Sequence, residues 1–560
     1  MKRQPIGVDD FKDLIDNDLY FVDKTLFIKE IVDDSSKVIL ISRPRRFGKT
    51  LNVSLLRYYF EKSKVDRSYL YKDYKIWGQG DKYLNEFNKY PVINLTFKGV
   101  KTNSWEVNFD LIKINIKNEF QNHSYLMDSD KLTVEQRKDI KDIASGNGTT
   151  GDYIKSLELL SKALYLYYGE KPIILLDEYD TLLNEAYING FWDEAINFMK
   201  TFTNESFKNN TYLHKAVITG IFRVAKESIF SDMNNLSVYT ILSDKYNEYF
   251  GFTQVEVEEL MNYCGVEESI TKVAEWYNGY IFGKKKQCVI YNPWSIIKFV
   301  TDKYLEPYWV NTSGNEVIKK LATEGDRNIQ FKIQDIIQGG EIGKVRIEEN
   351  IIYSEIMKSE NAIWSFMLMS GYLKSIKTEL KEDGIYCTLK VPNKEVYYFF
   401  VNMLRNWFAE TVKGGNTDEI LKALLNGDVD TFYEMFARTA INVLSYHDVS
   451  EDKSESFYHA FVLGMLVNLD KDYEVRSNRE SGYGRYDVMI IPKDRKKRGI
   501  IIEFKKASEF KGESLEDAVN EALCQIEERK YDGELKSLGI KDIIKIGIAF
   551  KGKMVKLGTN

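Results

Sequence analysis

Val38-Ile39-Leu40-Ile41-Ser42-Arg43-Pro44-Arg45-Arg46-Phe47-Gly48-Lys49-Thr50 is an apolar run, then a basic loop, then a helical pattern from Leu51 to about Glu61. A short, nearly continuous apolar run suits a strand buried on both faces. Gly-Lys-Thr at the mouth of a helix suits a phosphate: backbone N–H groups surround the anion, the lysine reaches its outer oxygens, and the hydroxyl binds Mg²⁺. Gly48, Lys49 and Thr50 meet that need, and Arg45 and Arg46 add positive charge in the same loop. One position departs from the usual pattern, where Arg43 replaces the first glycine and Pro44 supplies rigidity instead. A basic turn capping a strand would leave a similar trace, so the loop calls for a second element.

Ile173-Ile174-Leu175-Leu176 supplies it by running into Asp177-Glu178-Tyr179-Asp180. In a strand of this kind Asp177 would hold the Mg²⁺ water shell and Glu178 would polarise the attacking water, with acids capping a helix as the competing reading of the pair alone. Two more apolar runs, Val92-Ile93-Asn94-Leu95 and Ala216-Val217-Ile218-Thr219, alternate with helical stretches. That alternation predicts βαβ units and a doubly wound parallel sheet. The last run ends in Thr219-Gly220-Ile221-Phe222-Arg223. Thr219 there is a candidate sensor of the terminal phosphate and Arg223 a candidate contact, with an ordinary strand-end turn as the competing reading of each.

At 560 residues the chain is too long for one core, and about two to four domains are expected. A hydrophobic content of 44% and a charged content of 29% are those of an ordinary globular protein. No apolar run is long enough to span a bilayer, and the N-terminus has no apolar signal-peptide core, so a cytoplasmic protein with no membrane partner is expected. Four dispersed cysteines and four dispersed histidines offer no zinc spacing and no disulfide framework. A formal charge of −6 means that any nucleic-acid surface is local. From about Tyr249 to Phe400 the chain is aromatic-rich with helical periodicity and carries no assignable chemical motif. The expected divisions are 1–240, 241–400 and 401–560, the last with a core at about 450–555.

Near the C-terminus, Gly484-Arg485-Tyr486-Asp487-Val488-Met489-Ile490-Ile491 precedes Gly499-Ile500-Ile501-Ile502-Glu503-Phe504-Lys505, with the basic run Lys493–Arg498 between them. Residues i and i+2 of a strand share a face, so Glu503 and Lys505 project together. A carboxylate inside an apolar strand needs a partner. Asp487 and Glu503 are therefore expected to share a divalent metal, with the Phe504 carbonyl as a further oxygen and Lys505 orienting a water. Mg²⁺ suits such an all-oxygen site. Glu455, in the first turn of an upstream helix, either completes an outer ligand shell or serves its own helix end. Gln525, on a downstream helix, either holds a water or phosphate oxygen or packs on the surface. The Lys493–Arg498 run reads as a solvated hairpin or a phosphate-backbone contact, and His459 as a core or surface histidine rather than a ligand.

Taken together, these stretches resemble a bacterial family that joins an AAA-ATPase-like domain to a C-terminal PD-(D/E)XK nuclease-superfamily domain. The resemblance is carried by Tyr20-Phe21-Val22-Asp23-Lys24-Thr25, the Arg43–Thr50 loop, Asp177–Asp180, Asn234-Asn235-Leu236, Phe250-Gly251-Phe252-Thr253 and Trp276-Tyr277-Asn278-Gly279-Tyr280. Ser477–Asp487, Glu503-Phe504-Lys505 and Gln525–Tyr531 complete it. It implies an α/β chain: an ASCE-type P-loop parallel-sheet domain, a mainly helical or winged-helix-like middle region, and a small α/β nuclease-like domain. ATP and Mg²⁺ are the implied cofactors, and nucleic acid, DNA ahead of RNA, the implied partner. AAA-like ATPases assemble so that a neighbouring copy supplies an arginine, so a homo-oligomer is allowed. The leading expectation is nucleotide-regulated, metal-dependent phosphodiester cleavage. The alternatives are a P-loop switch or scaffold whose nuclease-like domain only binds, and a remodelling ATPase.

Overall fold

The four apolar runs of the N-terminal half become strands of one parallel sheet. A computed structural model describes residues 2–224, 229–230, 233–310, 329, 332–333, 336, 340–351, 356, 359–411, 417–446, 472–481, 484–507, 512–551 and 554–560. The sheet holds β1 (Val38–Ser42), β2 (Val92–Thr96), β3 (Ile173–Asp177), β4 (Lys215–Gly220) and β5 (Leu236–Tyr239), in the order β2-β3-β4-β1-β5. Every pairing is parallel. β4 thus lies between the strand that feeds the phosphate-loop sequence and the strand that ends in Asp177, the order of an ASCE-type P-loop sheet. Helix α1 (Lys49–Phe60) follows the loop.

β1 and β3 are buried along their whole length, as continuous apolar runs between two helical layers must be. β5 lies at the sheet edge with all four residues only half-buried, so Leu-Ser-Val-Tyr needs no continuous apolar run.

The chain divides into two compact units, Met1–Leu321 with Glu341–Val396, and Ala322–Gly340 with Tyr397–Asn560. The first unit includes both the P-loop sheet and most of the span expected as a helical extension. That span holds α2 (Gln254–Cys264), capped reciprocally by Thr253 and Glu256, and α3 (Pro293–Asp302), capped by Asn292 with proline in its first turn. Its described residues also include strands. Ile342–Ile347, Lys374–Lys381 and Gly384–Lys390 form an antiparallel sheet, the last two joined through Glu382-Asp383. Asp383-Gly384 between alternating residues was the signal for that hairpin.

The second unit contains α4 (Thr417–Asn426), α5 (Val429–Tyr446), β6 (Tyr473–Ser481), β7 (Gly484–Pro492), β8 (Gly499–Lys506), α6 (Leu515–Glu528), β9 (Ile543–Lys551) and β10 (Met554–Thr559). The sheet order is β6-β7-β8-β9-β10, with only the β8–β9 pair parallel. Alternation splits its side chains between two cores. Val488, Ile490, Ile500 and Ile502 join Ile420, Leu424 and Phe432 of α4 and α5. Met489, Ile491 and Ile501 join Ala518, Val519 and Ile526 of α6. Glu503 and Lys505 continue the Ile501 series toward α6.

Candidate functional site

Gly48 caps α1 at a φ of 79°, a conformation that costs glycine little, and Arg46 before it stands at 66°. The Lys49 ammonium is buried and donates to the carbonyls of Arg43 (2.9 Å) and Pro44 (2.8 Å). Burial lowers its pKa, opposed by the charges of Glu178, Asp180 and Asp177. Thr50 Oγ1 donates to Asp177 Oδ2 at 2.8 Å, and the Thr219 hydroxyl donates to Asp177 Oδ1. Asp177 is raised above the ordinary carboxylate range, chiefly by burial. The hydroxyl of Thr50 and the carboxylate of Asp177 are hard oxygen donors side by side, a set that fits Mg²⁺.

A cavity of about 290 Å³ opens at this loop, and Arg45, Arg46, Gly48, Lys49, Thr50 and Glu178 all line it. Thr219 and Arg223 do not. Thr219 spends its hydroxyl on Asp177, and Arg223 lies in a two-residue parallel pairing with Asn350–Ile351. Glu178 has a φ of 52°, held by the flanking bonds Tyr179 N–H to Thr219 O and Thr181 N–H to Glu178 O, both 3.1 Å. Its carboxylate lies 4.0 Å from Lys101 Nζ.

Two residues without an assigned role in the sequence reading hold this site in place. Asp180 is buried and accepts the N–H groups of Ile221 (2.7 Å) and Phe222 (2.9 Å), fixing the exit of β4. A side chain at Gly220 would come within 2.7 Å of that carboxylate. Arg43 is fully buried and does not line the cavity. Its guanidinium donates to the carbonyls of Ser42 (2.8 Å), Tyr239 (3.0 Å) and Tyr246 (3.2 Å) and packs against the rings of Phe250 and Phe282. Burial lowers its pKa to about 9. The arginine that interrupts the glycine pattern is therefore a tie between β1, β5 and the chain beyond.

In the second unit, β7 and β8 bring Asp487 and Glu503 together. Val488 pairs with Ile502, which sets Asp487 opposite Glu503. Glu503 Oε2 accepts the Asp487 N–H at 3.2 Å, and Asp487 Oδ2 accepts the Phe504 N–H at 2.8 Å. Both carboxyls are pushed up, first by burial and, at Glu503, also by the charge of Asp487. Gln525 of α6 donates its amide to Glu503 Oε1 and, at 3.2 Å, to the Tyr531 hydroxyl. Lys505 Nζ is 3.5 Å from Glu521 Oε1, and its charge lowers both acids.

Among the described residues no three His, Cys, Asp or Glu side chains gather into a metal-binding group. Glu455 and His459 lie outside the described residues. The oxygen donors at hand are the buried carboxylate of Glu503 and the half-buried carboxylate of Asp487, which repel one another, with the charge of Lys505 lowering both. An all-oxygen pair of neighbouring carboxylates fits a hard divalent cation. The basic run between β7 and β8 closes their hairpin, where Arg498 Nε donates to Asp542 Oδ2 at 2.9 Å. No described helix is long and apolar enough to cross a membrane.

Two family models match this chain, one toward each end. Residues 5–230 match the family model for predicted AAA-ATPases, and residues 453–560 match the PD-(D/E)XK nuclease superfamily. An uncharacterized protein in the vnfD 5′ region of Azotobacter chroococcum mcd 1 is 23% identical over 560 residues, covering 98% of this chain and 96% of that protein. Among solved structures, the Walker-type ATPase paby2304 of Pyrococcus abyssi aligns over 71% of this chain and 98% of its own, at 13% identity and a TM-score of 0.33. That similarity is too low to carry an inference.

Proposed function

For a chain that carries a predicted AAA-ATPase domain at 5–230 and a PD-(D/E)XK nuclease-superfamily domain at 453–560, we propose nucleotide-regulated, metal-dependent cleavage of phosphodiester bonds in nucleic acid, with DNA the favoured substrate. The observation that carries the reading is the meeting of Asp487 and Glu503 across β7 and β8, with Gln525 bonded to Glu503 and Lys505 on the same strand. Asp487 and Glu503 would hold Mg²⁺. Bound there, the ion supplies Lewis-acid polarisation of the phosphoryl oxygen and a more acidic water.

The chain's own residues do the rest. The Gln525 amide fixes Oε1 of Glu503 and the Asp487 N–H fixes Oε2, which orients the remaining lone pairs of the carboxylate for the cation. The Lys505 ammonium steadies the attacking water or the charge growing on the phosphoryl oxygens. In the first unit Lys49, Gly48, Arg45 and Arg46 would bind the phosphates of ATP, with Thr50 and Asp177 on its Mg²⁺ and Glu178 on the attacking water. Nucleotide binding then acts by shifting the population of a cutting-competent arrangement.

The test is incubation of the protein with Mg²⁺ and a panel of double-stranded DNA, single-stranded DNA and RNA. Asp487→Ala and Lys505→Ala should each lower cleavage by about 10²–10³-fold while ATP binding is unchanged. Lys49→Ala should lose ATP binding and the response of cleavage to ATP. Cleavage that survives both substitutions at the C-terminal site removes this reading.

A further inference from the structure

We propose that Trp294 is a specificity-determining residue that holds the nucleoside end of a nucleoside triphosphate, an inference that rests on the nucleotide-binding reading of the phosphate loop. The cavity at the loop does not end at its cations. It continues to a wall formed by Val8, Tyr20, Val22, Phe252, Trp294 and Ile297. Phosphate groups need N–H donors and positive charge, and an aromatic and aliphatic wall does nothing for them. A base and a sugar are the parts of a nucleotide that such a wall suits.

Trp294 stands out on that wall for two reasons. Its indole N–H is buried with no hydrogen-bond partner among the described residues. A buried donor left unpaired costs free energy that an acceptor on the ligand restores once the ring, which lines the cavity, turns the N–H toward it, and nucleosides carry acceptors on both sugar and base. In addition, the Arg46 guanidinium lies 4.6 Å from the centroid of the Trp294 ring. That contact ties the phosphate loop to this wall. Arg46 holds this position at a φ of 66°, which a non-glycine residue rarely adopts.

The placement of Trp294 is local and well supported. It sits in the first turn of α3, just after the Asn292 cap, whose Oδ1 accepts the Ser295 N–H at 3.2 Å, and after Pro293. Ser295 in turn donates to the buried carboxylate of Glu395 at 2.9 Å. The residue therefore belongs to a pinned helix start rather than a loose loop. Phe252 reaches the same wall from the turn before α2, paired through its backbone with Tyr291.

The experiment compares equilibrium binding of Mg-ATP and of inorganic triphosphate to the full chain. Wild type should bind ATP more tightly than triphosphate. Trp294→Phe keeps the ring and removes the donor, and should weaken ATP binding by about three- to tenfold with little change for triphosphate. Trp294→Ala should bring the two ligands close to one affinity, and Lys49→Ala should lose both. Thermal melting of Trp294→Phe within a few degrees of wild type excludes misfolding as the cause. If both Trp294 variants keep the wild-type ATP affinity while Lys49→Ala loses it, the inference is overturned and the nucleotide site stands. If wild type binds neither ligand, the nucleotide reading falls and the inference with it.

Discussion

Asp487 and Glu503 both have carboxyls raised above the ordinary range because burial penalises their charged forms, and at Glu503 the neighbouring Asp487 adds repulsion. A raised folded-state pKa means the folded chain binds more protons than the unfolded one between the ordinary carboxylate value and the raised one. Stability then falls as pH rises through that window. For the metal-free protein, the melting midpoint of the C-terminal unit should decline from about pH 4, where unfolded carboxylates titrate, into the near-neutral range. Asp487→Asn should flatten the slope, and Mg²⁺ should oppose the decline at its upper end. Identical slopes for wild type and Asp487→Asn would contradict the pairing. The same reasoning shows why these two acids were legible at the start: a carboxylate inside an apolar strand has no cheap solution except a partner. Arg43 was not legible in this way. It occupies a phosphate-loop position in the chain, yet its guanidinium is consumed by carbonyls of Ser42, Tyr239 and Tyr246. Sequence distance hid the last two.

Helix α6 carries Gln525 to Glu503, and its seat is set by Gly547 of β9. A side chain there would come within 2.9 Å of the Val519 carbonyl and 3.1 Å of the Ala522 Cβ. Helix and strand approach so closely only because that position has no Cβ. Gly547→Ala should therefore destabilise the C-terminal unit by about 1–3 kcal/mol, read by chemical denaturation, and should lower cleavage beyond what stability explains, since Gln525 moves with the helix. Unchanged stability would mean that the helix is not seated on this residue. Among the elements, β1, β3 and β4 were readable because strands buried on both faces are apolar runs, and β2 because its Val-Ile-Asn-Leu core is still mostly apolar. β5 was not, since an edge strand of half-buried Leu-Ser-Val-Tyr looks like any polar segment. In the middle region the alternation from Lys374 to Lys390 marks the two strands that pair there.

Each of the two compact units has its own sheet and its own apolar packing. Calorimetry should accordingly resolve two transitions. ATP with Mg²⁺ at about a hundred times its dissociation constant should stabilise the N-terminal one by about 2.7 kcal/mol and leave the other in place. A single transition shifted as a whole by ATP would mean that the units unfold together. The N-terminal strands, the Gly48-Lys49-Thr50 loop, the acids after β3 and the two acidic strands near the C-terminus are local patterns, and local periodicity with fixed motif spacing is enough to state them. What folding alone decides is which distant groups touch. The burial of Arg43, the pinning of β4 by Asp180, the engagement of Thr219 with Asp177 and the arrival of Trp294 at the cavity beside Gly48-Lys49-Thr50 each depend on long-range packing, which no window along the chain contains.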